Sequence, residues 1–88
     1  MTSRGTAGSW RLYRELPADV QTAARLAYHK FLQNPAHPSL RLERLRSDPR
    51  AWSVRVTLNY RAVALRQAED WIWVWIGNHR EFDRQFPT

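Results

Sequence analysis

Two arginines and a histidine in the second half of the chain offer the chemistry: Arg55, Arg61 and His79. They fall in three consecutive runs between Trp52 and Asp83, namely WSVRV, YRAVAL and WIWVWIGNHREFD. A guanidinium presents a planar fork of donors that matches two phosphate oxygens and keeps its charge at any physiological pH. An imidazole exchanges a proton near neutrality. Phosphate stabilisation combined with proton transfer is what cutting RNA demands when its own 2′-hydroxyl attacks the neighbouring phosphorus in line. The set therefore points to RNA cleavage rather than to RNA binding alone. Arg61 is the first choice for phosphate charge, Arg55 the second, and His79 the general acid or base. Asp83 lies four residues after His79 and orients the imidazole if the intervening turn is helical; Glu81 is a less favoured proton acceptor. Each residue also has an ordinary alternative: Arg61 paired with Glu69 or Asp70 at the surface, Arg55 merely solvated, His79 capping a strand or helix end.

Positioning these side chains requires a sheet. Trp52, Val54, Val56 and Leu58 alternate with Ser53, Arg55 and Thr57, which reads as a strand with Arg55 on its more polar side. Asn59 supplies a tight turn into a strand over Tyr60–Gln67, and Ala68-Glu69-Asp70 turns the chain into Trp71–Ile76, giving an antiparallel meander. The last of these strands is apolar on both sides, with Ile72, Val74 and Ile76 on one face and Trp71, Trp73 and Trp75 on the other. The tryptophan face then either completes the core or forms a groove for a partner. Gly77 ends the strand, and residues from His79 to Phe86 suit a short helix.

Upstream, residues 1–8 read as a flexible N-terminus. Ser9 caps a helix running to Leu16, with Trp10, Leu12, Tyr13 and Leu16 at helical spacing. Pro17 suits the first turn of a second helix, in which Val20, Ala24, Ala27 and Phe31 recur on one side and which Asn34-Pro35 ends. The two helices form a hairpin with one apolar side. Residues 35–50 are a connector pinned by Leu40, Leu42 and Leu45.

Eighty-eight residues, 43% of them hydrophobic and five of them Trp, suffice for one small core and one domain over 9–88. No apolar run approaches the length of a membrane span, and the N-terminus lacks the apolar stretch of a secretion signal. The chain has no cysteine, which excludes disulfides and thiolate metal sites and fits a cytoplasmic protein. The formal charge is +6, and it is concentrated: seven arginines between residues 41 and 66 face only Glu43 and Asp48. Such a band attracts polyanions. Arg41, Arg44, Arg46 and Arg50 in the connector are candidates for gripping an RNA backbone without reading its sequence. His29, His37 and His79 lack metal-ligand spacing, and no glycine-rich phosphate loop is present, so neither a metal nor a nucleotide cofactor is expected. His29 and His37 read as structural.

Taken in order, LPADVQ opening the long helix, NP closing it, the LERLR segment, the SVRV strand, the adjoining YR strand and a terminal strand ending IGNH resemble the RelE/ParE superfamily of toxins from bacterial toxin–antitoxin pairs. The likeness runs from about Trp10 to Phe86. It implies an α+β fold: an N-terminal helical hairpin packed on a twisted, mostly antiparallel sheet of three to four strands, with a short C-terminal helix. It implies a cognate antitoxin that wraps the toxin. It also implies one of two activities. RelE-like and HigB-like members cut mRNA in the ribosomal decoding site without a metal, whereas ParE-like members inhibit DNA gyrase. Arg61 stands at the arginine of the YR motif of cleaving members, Arg55 at their basic residue on the preceding strand, and His79 at a position they fill with arginine or histidine. In two respects the chain departs from cleaving members: Leu58-Asn59 replaces their glycine-containing turn, and their C-terminal tyrosine has no counterpart, Phe82 and Phe86 being unable to donate a proton. The expectation is a metal-independent endoribonuclease toxin whose partners are an antitoxin, the ribosome and mRNA, with no membrane involved. The alternatives are a gyrase-directed poison and a nuclease-dead RNA-binding or regulatory module.

Overall fold

The structure, a computed structural model, describes residues 1–87. Its elements are β1 (Thr2–Gly5), α1 (Ala7–Arg14), α2 (Ala18–Gln33), a 3-10 turn at Pro38–Leu40, β2 (Glu43–Arg44), β3 (Ala51–Thr57), β4 (Tyr60–Gln67), β5 (Asp70–Asn78) and α3 (His79–Gln85). The strands form one five-stranded sheet in the order β1-β5-β4-β3-β2. The β2–β5 pairings are antiparallel, as the meander requires, but β1 pairs parallel to β5. The sheet is thus mixed and one strand wider than the three to four expected.

The extra strand comes from residues expected to be flexible. Thr2–Gly5 pairs with Asp70–Trp73, and side chains hold it as well: Ser3 Oγ accepts from Trp73 Nε1 and from Tyr28 Oη, each at 2.9 Å, and Thr2 bonds Asp70. The apolar β5 would otherwise present unpaired backbone groups at the sheet edge. Thr6 continues the edge with an N–H to Trp73 O at 2.9 Å, and α1 packs beside the rest of β5. Thr6, not Ser9, caps α1: its Oγ1 accepts from Ser9 N at 3.1 Å, while Ser9 sits buried inside the helix.

α2 is bounded as its sequence dictates. Pro17 precedes it, Asp19 lies in its first turn, and Asn34 ends it with an N–H to Lys30 O at 2.8 Å. Gln21 reaches back to the carbonyls of Tyr13 and Leu16, at 3.1 and 3.2 Å, and so satisfies the C-terminal end of α1. Val20, Ala27 and Phe31 form its buried stripe. Phe31 packs edge-on against both Trp71 and Trp73, with ring centroids 5.1 and 5.0 Å away, a favoured arrangement for aromatic pairs. Leu40, Val54, Ala62 and Ala64 complete this side of the core.

The other face of the sheet has its own core: Leu45, Ala51, Val63, Trp75 and Phe82. Trp75 therefore does not share a face with Trp71 and Trp73, contrary to simple alternation. On β4, Val63 and Ala64 are adjacent, yet their partners on β5 are Trp75 and Trp73, leaving Val74 unpaired as a β-bulge. The bulge reverses the phase, so Ile76 packs with the α2 side and Val74 with the α3 side. Each face of β5 thus receives a tryptophan and a covering element. Among the described residues no helix is long and apolar enough to cross a membrane.

Candidate active site

The site forms on the α3 side of the sheet. Arg55 and Arg61 are direct cross-strand partners on β3 and β4, so they share a face. A second bulge makes this so. Thr57 pairs with Tyr60 across the turn, but Arg55 pairs with Arg61, so Val56 is the extra residue. Without it, the turn register would set Arg55 opposite Ala62 and send the two arginines to opposite faces. On its other side Arg61 is paired with Gly77, and the Trp75 ring lies across the space a Gly77 side chain would take.

α3 delivers the histidine to the same place. Asn78 caps the helix, its Oδ1 accepting from Glu81 N at 2.8 Å. His79 follows, and its N–H donates to Asn59 O at 2.6 Å, fixing the start of α3 against the β3–β4 turn. One helical turn on, Asp83 Oδ2 lies 3.0 Å from His79 Nδ1. That contact gives Nδ1 the proton and leaves Nε2 free to exchange one. The His79 side chain is 43% exposed, so it is open to a ligand from solution. Phe82, buried, packs against both groups. The Arg61 guanidinium carbon lies 5.4 Å from its ring centroid, and the His79 ring centroid 6.0 Å away. Arg61 and His79 therefore converge on one side of the sheet.

The ordinary alternative for Arg61 does not occur. Asp70 lies at the far end of β5, paired with Gln67 and bonded to Thr2. Among the described residues no carboxylate ion-pairs with Arg61, and its Nε is buried without a hydrogen-bond partner. Glu81 is tied to Arg84 at 3.1 Å. Ser53, fully buried on the same face, also has an unpartnered hydroxyl. Reading the sequence for chemistry passed over Ser53, hinted at only by its place on the Arg55 side of the strand, whereas Phe82 was expected near the site and preferably in the core, where it lies.

Arg41, Arg44, Arg46 and Arg50 are all exposed. Arg44 pairs with Trp52, which packs on the α2 side, away from Arg61. Arg50 is engaged with Asp48 at 3.1 Å; its hydrogen bonds hold the Asp48 carboxyl below the usual carboxylate range. His37 accepts from Ser39 N at 3.2 Å through Nδ1, a local cap of the 3-10 turn, and His29 is exposed on α2.

On the opposite face an apolar groove of about 490 Å³ opens between α1, α2 and the sheet, lined among others by Trp10, Tyr13, Tyr28, Phe31, Val56 and Trp73. Arg4 and Arg25 also line it, and among the described residues no carboxylate does. Of the three alternating tryptophans, Trp73 and Trp75 both pack in the core and line the groove.

Comparison with known proteins places this geometry in context. The profile of the ParE-like toxin domain matches residues 18–84, which span α2, the whole antiparallel meander and most of α3. No curated protein sequence matches. Among solved structures, a YoeB/ParE toxin from Agrobacterium tumefaciens superimposes with a TM-score of 0.70 at 20% identity, covering 90% of this chain and 99% of its own. A RelB–RelE antitoxin–toxin complex from Methanococcus jannaschii gives 0.71 at 14% identity, covering 94% and 98%. The RelBE2 toxin–antitoxin complex from Mycobacterium tuberculosis gives 0.70 at 20%, covering 89% and 90%. At these identities the likeness is one of fold.

Proposed function

The chain belongs to the ParE-like toxin family, and from that premise we propose that it is the toxin of a toxin–antitoxin pair, a cytoplasmic endoribonuclease that cuts mRNA on the ribosome and so stops translation. The observation that carries the nuclease reading is the convergence of an unneutralised Arg61 and an Asp83-oriented His79 on one accessible face. RNA held there cleaves through its own 2′-hydroxyl. The oxygen attacks the adjacent phosphorus, the bond to the 5′-oxygen breaks, and the products are a 2′,3′-cyclic phosphate and a 5′-hydroxyl. Arg61, with Arg55 beside it, balances the charge that builds on the non-bridging oxygens. His79 exchanges a proton with the RNA through Nε2, and Asp83 stabilises the imidazolium when it forms. No step calls on a metal. Exposed Arg41, Arg44 and Arg46 hold the backbone of message or ribosomal RNA by charge alone.

A cognate antitoxin neutralises the protein. The Methanococcus jannaschii and Mycobacterium tuberculosis relatives were solved as toxin–antitoxin complexes. The aromatic groove, edged by arginines and free of lining carboxylates, suits an acidic segment carrying apolar side chains. A second reading, a poison of DNA gyrase, is favoured by the ParE-like description of the matching family. Mapping mRNA 5′ ends after induction separates the two. Cuts phased to the ribosomal reading frame support the nuclease, whereas loss of DNA supercoiling with intact messages supports gyrase. A chain that binds RNA but stops neither process is a nuclease-dead module.

A further inference from the structure

Arg61 poses a problem of restraint. A long side chain left free loses about 2 kcal/mol of rotamer entropy when a ligand freezes it, so an effective phosphate-stabilising arginine is held in advance. A carboxylate is the usual means, but it would neutralise part of the charge that the reaction needs. In this protein no carboxylate ion-pairs with Arg61 among the described residues, and its Nε–H has no acceptor. What faces the guanidinium is the ring of Phe82 at 5.4 Å. A ring face attracts a cation through its quadrupole and consumes no N–H donor.

The ring is itself fixed. Phe82 is 5% exposed and packs against Trp75 at 6.2 Å and Phe86 at 5.6 Å. It also meets the edge of His79 at 6.0 Å. One immobile side chain thus touches both groups to which cleavage is assigned, one on the sheet and one on α3. Resting on the nuclease reading given above, we infer that Phe82 is a positioning residue: its ring face holds the Arg61 guanidinium in place without quenching it, and its contact with the imidazole sets His79 at a constant separation.

The test compares Phe82→Leu, which keeps a buried apolar group but removes the ring, with Phe82→Tyr, which keeps the ring. The first readout is the Arg61 Nε–H resonance in the free protein. In the wild type it carries an upfield ring-current shift, which Phe82→Leu abolishes and Phe82→Tyr retains. The second is cleavage of ribosome-bound message under single-turnover conditions, beside binding of an RNA whose 2′-hydroxyl is replaced by hydrogen. Phe82→Leu lowers the cleavage rate about tenfold, the scale of a cation–π contact out of water, and changes binding by less than about twofold; Phe82→Tyr restores the rate. Should Phe82→Leu fail to fold, Phe82→Met fills the same space without a ring and carries the same comparison. An Arg61 resonance that ignores the loss of the ring overturns the inference, as does a ringless variant that cleaves at the wild-type rate. A wild-type protein that cuts no RNA, while its Arg61 resonance still depends on the ring, refutes the nuclease reading and leaves the hold on Arg61 standing.

Discussion

Gly77→Ala is the substitution whose effect follows most directly from the geometry. A Cβ added at Gly77 would stand 2.7 Å from Trp75 Cζ2 and 2.8 Å from Cη2. Carbon atoms rest comfortably at about 3.5–4.0 Å, so the indole must withdraw by roughly 0.8 Å at its outer edge. It has little room, because Trp75 is 8% exposed and its ring is flanked by Phe82 at 6.2 Å and Phe86 at 5.5 Å. Forcing one extra methyl into such a contact costs about 1–3 kcal/mol. For a domain of this size that lowers the melting temperature by about 4–24 °C. Because the displaced ring presses on Phe82, the Arg61 Nε–H resonance should move as well. The control is the same change in a Trp75→Phe background, where the benzo ring that carries Cζ2 and Cη2 is absent. If the clash is the cause, the two substitutions couple by about 0.5–3 kcal/mol in a double-mutant cycle. Thermal denaturation of the four proteins measures this, and an equal cost of Gly77→Ala in both backgrounds, or no cost in either, would refute the reasoning.

Arg61→Ala removes the principal transition-state donor and should reduce cleavage of ribosome-bound message by about 10²–10³-fold, with the melting transition retained. Asp83→Asn leaves His79 in place but loses the charge that orients and stabilises the imidazolium; the single-turnover rate should fall by at least about tenfold, within the range assigned to general acid–base catalysis. The Asp48 carboxyl is held low first by the Arg50 side-chain hydrogen bond and then by the Arg50 backbone N–H. The folded state therefore binds its proton less readily than the unfolded chain. The stabilisation is complete above the unfolded value and is lost as pH falls through the lowered folded value. An NMR titration should place Asp48 below the ordinary carboxylate range and find it restored toward that range in Arg50→Ala.

Much of the scaffold was legible because local signals coincide there. In α2, the spacing of Val20, Ala27 and Phe31 and the stop at Asn34-Pro35 each encode the same helix, and tertiary contacts merely confirm it. In β3 and β4, alternation and a two-residue turn at Leu58-Asn59 do likewise. β1 was illegible for the opposite reason. The stretch TSRG has no apolar alternation, and its strand conformation is imposed from outside by the vacant edge of β5 sixty-eight residues away. The facing of Arg44 was hidden in the same way, since it depends on the pairing of β2 with β3 and not on charge density.

The site shows where residue type ends and register begins. Arg55, Arg61 and His79 could be chosen by type, yet a meander paired regularly from each of its turns would not assemble them. From the Thr57–Tyr60 pair alone, Arg61 would side with Val56 and face α2; from the Gln67–Asp70 pair alone, it would sit opposite Ile76 instead of Gly77, with Trp75 left on the α2 side beside Trp71 and Trp73. The bulge at Val56 brings Arg55 opposite Arg61, and the bulge at Val74 brings Gly77 opposite Arg61 and Trp75 to the α3 side. Both shifts are needed for one side chain to meet Arg55 on one flank and the Phe82–Trp75 aromatic cluster on the other. Valine is a poor announcer of a bulge, because its β-branched side chain suits a regular strand equally well. What selects the bulges is the sum over the sheet: two apolar faces that must each be filled, and a pair of arginines that must find the face α2 does not cover.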